Sequence, residues 1–333
     1  LTTFAPSSSI KMSVTEALDD FESKKILVIG DIILDIYIHG TVERISPEAP
    51  IPIVNHQHTR HALGGAANVA ANLKGLGADV TLVSATGEDR EAEYLGVMLD
   101  LEEIAHDLIA VKDRPTTSKS RIIAAGHQML RIDHEMTEEL SPEQSKLLLE
   151  KILDRLRQEP PAALVLEDYN KGLLTEEVIH TVLDKARSLA IPVIVDPKQS
   201  HFFAYSGCRV FKPNFKECAR QLPFPLKPEM ESLQQADAYL RGRLHHGISM
   251  ITLAEHGIFI SDGHRSHLLP TEIRQVSDVS GAGDTVTAIA TFGIVQSLSL
   301  ELIASLANKA AGLVCARPGV YAIRKEELIQ NHN

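Results

Sequence analysis

The chain has 333 residues, 44% of them hydrophobic, which is enough for a large core in one or two domains. Its 33 basic against 44 acidic residues leave a formal charge of −11, which argues against non-specific nucleic-acid binding and obliges the chain to gather basic groups locally for any anionic ligand. The three cysteines (Cys208, Cys218, Cys315) form neither a disulfide framework nor a metal-ligand spacing, which suits a reducing cytoplasm, and no apolar run reaches transmembrane length.

Leu1 to Lys11 is Ser/Thr-rich and lacks the blocks of a signal peptide, so residues 1–23 are expected to be a flexible extension ahead of a single domain at about 24–330. Lys25 to Gly30 is a short β-branched run closed by glycine and reads as a buried parallel strand. Asp31 and Asp35 follow it, at the edge where open α/β sheets bind ligands, and suit a polyol. Ile36–His39 and Ile51–Val54 alternate around a run, Arg44 to Pro50, that cannot be helix interior. Thr116–Ala125 and Met129–Asp133 around Gly126 form a second hairpin pattern. Two such excursions, at about 36–56 and 114–135, suggest a small sheet acting as a lid; decorative hairpins are the plainer alternative. Between them Gly64 and Gly65 open a small-residue helix from which Asn68 projects as a candidate substrate contact.

Past the second excursion strands and helices alternate regularly. Strands are expected at 162–167, 191–196, 208–212 and 247–253, a hairpin at 257–269, and helices at 282–296 and 300–316. The alternation predicts an α/β fold: a mainly parallel sheet with helices on both faces. Acids recur at the strand ends: Asp31, Asp35, Asp168, Asp196 and Asp284, with Asn214 and Glu217 at a helix start. Asn214 and Glu217 taken alone read best as a helix cap, although one carboxylate beside nucleotide phosphates also suits hydrated Mg²⁺.

The stretch Asp278 to Asp284 (Asp-Val-Ser-Gly-Ala-Gly-Asp) concentrates the chemistry. Gly281 and Gly283 let backbone approach a ligand, and a helix starting near Ala282 points free N–H groups and its positive dipole end there. Asp284 stands beside that anion site, where it could take a proton from an attacking hydroxyl. A glycine turn before a core helix explains the stretch in isolation. Its place after the last parallel strand, with acids at earlier strand ends, points to phosphoryl transfer.

The pattern Gly64-Gly-Ala-Ala-Asn68 followed by Asp278-Val-Ser-Gly-Ala-Gly-Asp-Thr285 resembles the ribokinase (PfkB) family of carbohydrate kinases, over about residues 24 to 328. The resemblance implies a ribokinase-like three-layer α/β/α fold and an ATP- and Mg²⁺-dependent kinase. Within the family the runs Gly30–Asp35, Arg44–Val54, Leu130–Asp133, Asp168–Gly172 and Val195–Lys198 resemble the kinases of D-glycero-β-D-manno-heptose 7-phosphate. They imply phosphorylation of that sugar's anomeric hydroxyl on the route to ADP-heptose and lipopolysaccharide. Asp284 would be the base and the Gly281–Ala282–Gly283 backbone the anion hole. Asp31, Asp35, Gly64, Gly65, Asn68 and Asp168 would meet the sugar. Lys119, Arg121, Arg131 and Lys171 would meet its distal phosphate. Lys212, Asn214, Glu217, Thr252, Gly257 and Asn308 would lie by the nucleotide, with Mg²⁺ near Asn214 and Glu217. Asp278 and Ser280 would help hold a monovalent cation such as K⁺, and two copies would pair through their lids.

The chain departs from its relatives at Ser280, often Thr, at Glu167, commonly a small residue, and at Arg317–Tyr321. No His-x-Gly-His motif occurs, so only the kinase step is expected, not nucleotidyl transfer. The rival readings are a kinase for another sugar, in the manner of ribokinase or fructokinase, and a non-catalytic sugar or nucleotide sensor. A dinucleotide enzyme lacks its fingerprint after Gly30.

Overall fold

The computed structural model describes residues 13–271 and 277–330. The expected extension at residues 1–12 and the Val276 entry to the glycine stretch lie outside them. The main sheet contains β1 (Lys25–Gly30), β4 (Asp79–Thr86), β5 (Ala105–Ala110), β8 (Ala163–Glu167), β9 (Val193–Asp196), β10 (Val210–Phe211), β11 (Ile248–Thr252), β12 (Ile258–Ser261) and β13 (Ser266–Leu269). Their order across the sheet is β13-β12-β11-β10-β9-β8-β1-β4-β5. Pairing is parallel from β11 to β5 and antiparallel through β12 and β13. The continuous apolar character of Lys25–Gly30 and Ala163–Glu167 has its cause here: strands central in a parallel sheet are covered on both faces.

One face is covered by α1 (Val14–Phe21), α2 (Ala66–Gly75), α3 (Arg90–Leu101), α8 (Ala282–Val295), α9 (Leu300–Cys315) and α10 (Lys325–Gln330). The other carries α4 (Pro142–Gln158), α5 (Glu176–Ser188), α6 (Phe215–Gln221) and α7 (Met230–Leu244). The fold is therefore the expected three-layer α/β/α arrangement. The alanines of α2 let it lie close to the sheet and against α8, as the small-residue pattern implied.

Residues 13–23 correct the expectation of a flexible extension. Ser13 and Glu16 cap α1 reciprocally, and Val14, Ala17, Leu18 and Phe21 are buried in the core, with Phe21 edge-on to Phe292 of α8. A capping box followed by an apolar stripe outweighs the polar residues before it.

A second sheet has the order β3-β2-β6-β7, from β2 (Ile32–Ile45), β3 (Pro52–Gly65), β6 (Ser118–Ala124) and β7 (His127–His134). It extends further than the two predicted excursions. β2 starts only one residue after β1 ends, so Asp35 lies inside a strand rather than in a loop. The double glycine ends β3 as well as opening α2. β2 and β6 pair in parallel, which joins two excursions far apart in sequence into one sheet.

Candidate active site

The C-terminal edge of the main sheet, the N-terminus of α8 and the base of the small sheet meet around Asp284. Gly281 caps α8 at φ +81°, and a Cβ there would sit against the Asn68 amide. Gly283 opens to solvent, whereas Asp284 is only 2% exposed. Its Oδ2 accepts from Asn68 Nδ2 at 2.6 Å and its Oδ1 from the Tyr169 hydroxyl at 2.6 Å. Burial raises the Asp284 carboxyl to about 6, although these two donors favour the ionised form. A carboxylate with that affinity takes up a proton readily near neutral pH and is still ionised there.

Asn68, read as a substrate contact, holds the Asp284 carboxylate. Tyr169, inside the Asp168–Gly172 run, is a second holder of that carboxylate that the sequence does not single out. Its link to Asp284 depends on β8 lying under α8, which local spacing does not reveal. Lys198 Nζ stands 4.9 Å from the Tyr169 ring and pairs with Glu217 at 2.9 Å.

The residues expected to meet a sugar converge but are engaged with one another. Asp31 accepts from the backbone N–H groups of Tyr169 (2.8 Å), Lys171 (3.1 Å) and Leu173 (3.4 Å), so it anchors the 168–173 loop instead of standing free in the pocket. Burial and the neighbouring Asp168 raise its carboxyl to about 6. Asp168 accepts from Asn170 N and from the Tyr205 hydroxyl. Asp35 lies against Gly64, where a Cβ would strike its carboxylate, and a side chain on Gly65 would strike the Asp31 carbonyl. The two glycines are thus needed for β3 to pass β2.

Arg121, expected at a distal phosphate, is buried and ion-paired with Asp35 over the Tyr37 ring. Arg131 is exposed and bonds Asp133 on its own strand, sharing that carboxylate with Lys119, whose Nζ lies 3.2 Å from it. Lys119 and Lys171 do come together: each places Nζ 2.9 Å from Glu135 Oε2.

Among the residues expected by the nucleotide, the helix-cap reading of Asn214 and Glu217 is what the structure contains. Asn214 N donates to Glu217 at 2.7 Å and Glu217 N to Asn214 at 2.9 Å. Among the described residues no cluster of three or more His, Cys, Asp or Glu could hold a metal ion. Glu217 is a single carboxylate already bonded by Asn214 and Lys198, which fits contact with hydrated Mg²⁺ through water but not an all-protein cage. Lys212, expected by the nucleotide, is 2% exposed and pairs with Asp196 at 2.7 Å. Thr252 bridges to Asn214 at the sheet edge. Gly257 leaves room for the Leu269 carbonyl, and Asn308 donates to that carbonyl at 3.0 Å, so both fix the 257–270 hairpin. Asp278, expected beside a cation, accepts from Ser280 N at 2.9 Å and Gly319 N at 3.1 Å and so fastens the glycine turn to the C-terminal segment.

A family model described as "pfkB family carbohydrate kinase" matches residues 23–327. The chain belongs to the pfkB family of carbohydrate kinases. It is a phosphotransferase acting on a sugar hydroxyl. Among curated relatives, the bifunctional protein HldE of Methylobacillus flagellatus is 40% identical over 92% of this chain and 62% of its own length. That of Sulfurimonas denitrificans is 37% identical over 91% and 63% respectively. The chain thus spans somewhat under two thirds of these relatives. In fold it is similar to Escherichia coli phosphofructokinase-2 in complex with potassium (TM-score 0.77, 17% identity, 92% of this chain and 97% of that one). It is likewise similar to Arabidopsis thaliana ribokinase complexed with ribose and ATP (TM-score 0.71, 19% identity, 92% and 98%). Among the described residues no helix is long and apolar enough to cross a membrane.

Proposed function

We propose that this sugar kinase transfers the γ-phosphoryl group of ATP to the anomeric hydroxyl of D-glycero-β-D-manno-heptose 7-phosphate, giving the 1,7-bisphosphate used for ADP-heptose and lipopolysaccharide core synthesis. The observation that carries the reading is the convergence of Lys119 and Lys171 on Glu135. In a strongly acidic chain two half-buried cations brought together would suit the distal phosphate of a sugar. A phosphate entering there would exchange Glu135 for a dianion. The resemblance at Arg44–Val54 and the long match to the HldE relatives point the same way.

In the reaction Asp284 would accept the proton of the attacking hydroxyl, oriented by Asn68 and Tyr169. The N–H groups at the start of α8 would face the charge on the transferred group. Glu217 and Asn214 would hold Mg²⁺ through water, and that ion would neutralise ATP phosphate charge. The small sheet would close over the sugar and exclude water, which would otherwise accept the phosphoryl group. Its exposed Ile45, Met129, Leu130 and Ile132 suit pairing with the same sheet of a second copy. The free thiols and the need for ATP would suit a cytoplasmic setting.

One observation favours a second reading. Each of the four expected phosphate-binding cations already has an acidic partner (Asp35, Asp133 or Glu135), as would suit a sugar with no distal phosphate. ADP release measured over a panel of phosphorylated and unphosphorylated sugars separates the two. A preference for heptose 7-phosphate is expected; a preference for an unphosphorylated sugar would overturn the heptose assignment. No ADP release with any sugar would point to a sensor.

A further inference from the structure

Glu167 is the last residue of β8 and is fully buried. Neither of its side-chain oxygens has a hydrogen-bond partner if both are acceptors. Its surroundings make that arrangement costly. β8 and β9 pair in register, Glu167 beside Asp196, and β10 follows with Lys212, so the three side chains form a row on the face covered by α8. Asp284, in the first turn of α8, looks onto the same row, and Asp196 comes within 4.0 Å of where a Gly283 Cβ would stand.

The charges facing Glu167 are Asp196 from β9, Lys212 from β10, Lys198 from the turn after β9 and Asp284 from α8; the Tyr169 hydroxyl lies close as well. The β1 neighbour is Gly30, and α2 brings the uncharged Asn68 and Asn72, with its only charge, Lys74, paired to Glu103. Lys212 is taken by Asp196, and Lys198 is shared between Asp196 and Glu217. Among the described residues no cation facing Glu167 is left for a third buried carboxylate. A proton on Glu167 resolves both difficulties: it removes the unpaired charge and turns an orphan acceptor into a donor toward Asp196.

We infer that Glu167 is a positioning residue held as an uncharged carboxylic acid: it donates to Asp196, keeps Asp196 seated on Lys212, and spares Asp284 a second negative neighbour. Burial, then Asp196 and Asp284, push its carboxyl well above the ordinary glutamate range, while Lys198 and Lys212 hold Asp196 below the aspartate range against its own burial. The consequence of this buried proton for turnover rests on Asp284 being the base; the protonation itself does not.

The test compares wild type with Glu167→Gln, which keeps the shape and removes the titration. Infrared spectra at about pH 8, above the values of about 6 for Asp31 and Asp284, are expected to contain a protonated-carboxyl band that the variant lacks. Absence of that band in wild type overturns the inference. Unfolding by denaturant gives a second readout. The folded state holds a proton that the unfolded chain releases, so this group's contribution is fully present below the ordinary glutamate value and is lost as pH rises toward the folded one. The wild-type unfolding constant is therefore expected to grow about tenfold per pH unit relative to the variant across that window. A pH-independent gap overturns the inference.

The acidic limb of kcat/KM is expected to be unchanged in the variant. A limb moved to lower pH would mean that Glu167 was charged in wild type, and would also overturn it. If the variant folds poorly, wild type labelled with ¹³C at glutamate carboxyls answers alone: one resonance stays at the protonated position at about pH 8, and its absence is the contrary result. The spectra and unfolding use no substrate, so they succeed or fail independently of the assigned reaction.

Discussion

Around Asp284 the charged groups are buried and held by their neighbours, whereas around Lys119 and Lys171 they stand on elements half open to solvent. The first region is built from strand ends and one helix start, and its acids are fixed by tyrosine, asparagine and lysine. The second is built from the small sheet and the 168–173 loop, and its lysines rest on acids that an incoming anion can replace. Under the proposed function the two regions would do different work: a rigid centre for proton and phosphoryl transfer, and an exchangeable one for choosing the sugar. In this reading the chemistry can stay constant while the substrate changes.

The largest expected effect lies in the rigid region. Asp284→Asn should lower kcat by a factor on the order of 10² or more, measured as ADP release at saturating sugar. Wild-type turnover would remove Asp284 from the base role.

A second test sets buried against exposed pairs within the small sheet. Arg121→Ala leaves Asp35 buried without its cation and should cost about 3–5 kcal/mol of unfolding free energy. Arg131→Ala breaks an exposed pair and should cost about 0–1 kcal/mol. Equal losses in denaturant titrations would erase the contrast.

Lys171→Ala should reduce kcat/KM for a phosphorylated sugar by roughly 10–100-fold, mostly through KM, with little change for an unphosphorylated one. An equal loss on both would mean that Lys171 acts through the fold.

Smaller effects should appear in pH profiles. The base must be ionised, so kcat/KM should fall about tenfold per unit as pH drops below about 6. Tyr169→Phe removes a donor that favours the ionised carboxylate and should move this limb to higher pH; an unmoved limb would mean that the hydroxyl leaves Asp284 in the working state. The smallest effect on turnover is expected from Ile132→Glu on the small sheet, which should shift a dimer toward monomer in size-exclusion chromatography. An unchanged elution volume would place any self-association elsewhere.

Much of the rigid region was legible in the sequence because its signals are local. Glycines 281 and 283 with Asp284 specify a helix start carrying an acid, and the β-branched run Lys25–Gly30 specifies a covered strand. The roles of Tyr169, Glu167 and Lys198 were not legible. They depend on β8 lying beside β9 under α8, and on which residues share a row across strands. The exchangeable region was read less well. Its lysines were found by type, but their acidic partner Glu135 lies just beyond the strand that carries Asp133. Arg121 was placed at the phosphate because strand order, not spacing, pairs it with Asp35. Helix α1 was missed although its capping box was present, since the polar composition before it dominated the reading.

Asn72 sits one turn beyond Asn68 on α2. It accepts from the Thr285 hydroxyl at 3.0 Å and from Ile323 N at 3.0 Å, partners 213 and 251 residues further along the chain. It also donates to the Asn68 carbonyl at 2.8 Å. During synthesis its amide oxygen therefore waits, with neither donor yet made, until nearly all of the domain has left the ribosome. The groups that orient Asp284 become fixed only when the two ends of the fold meet.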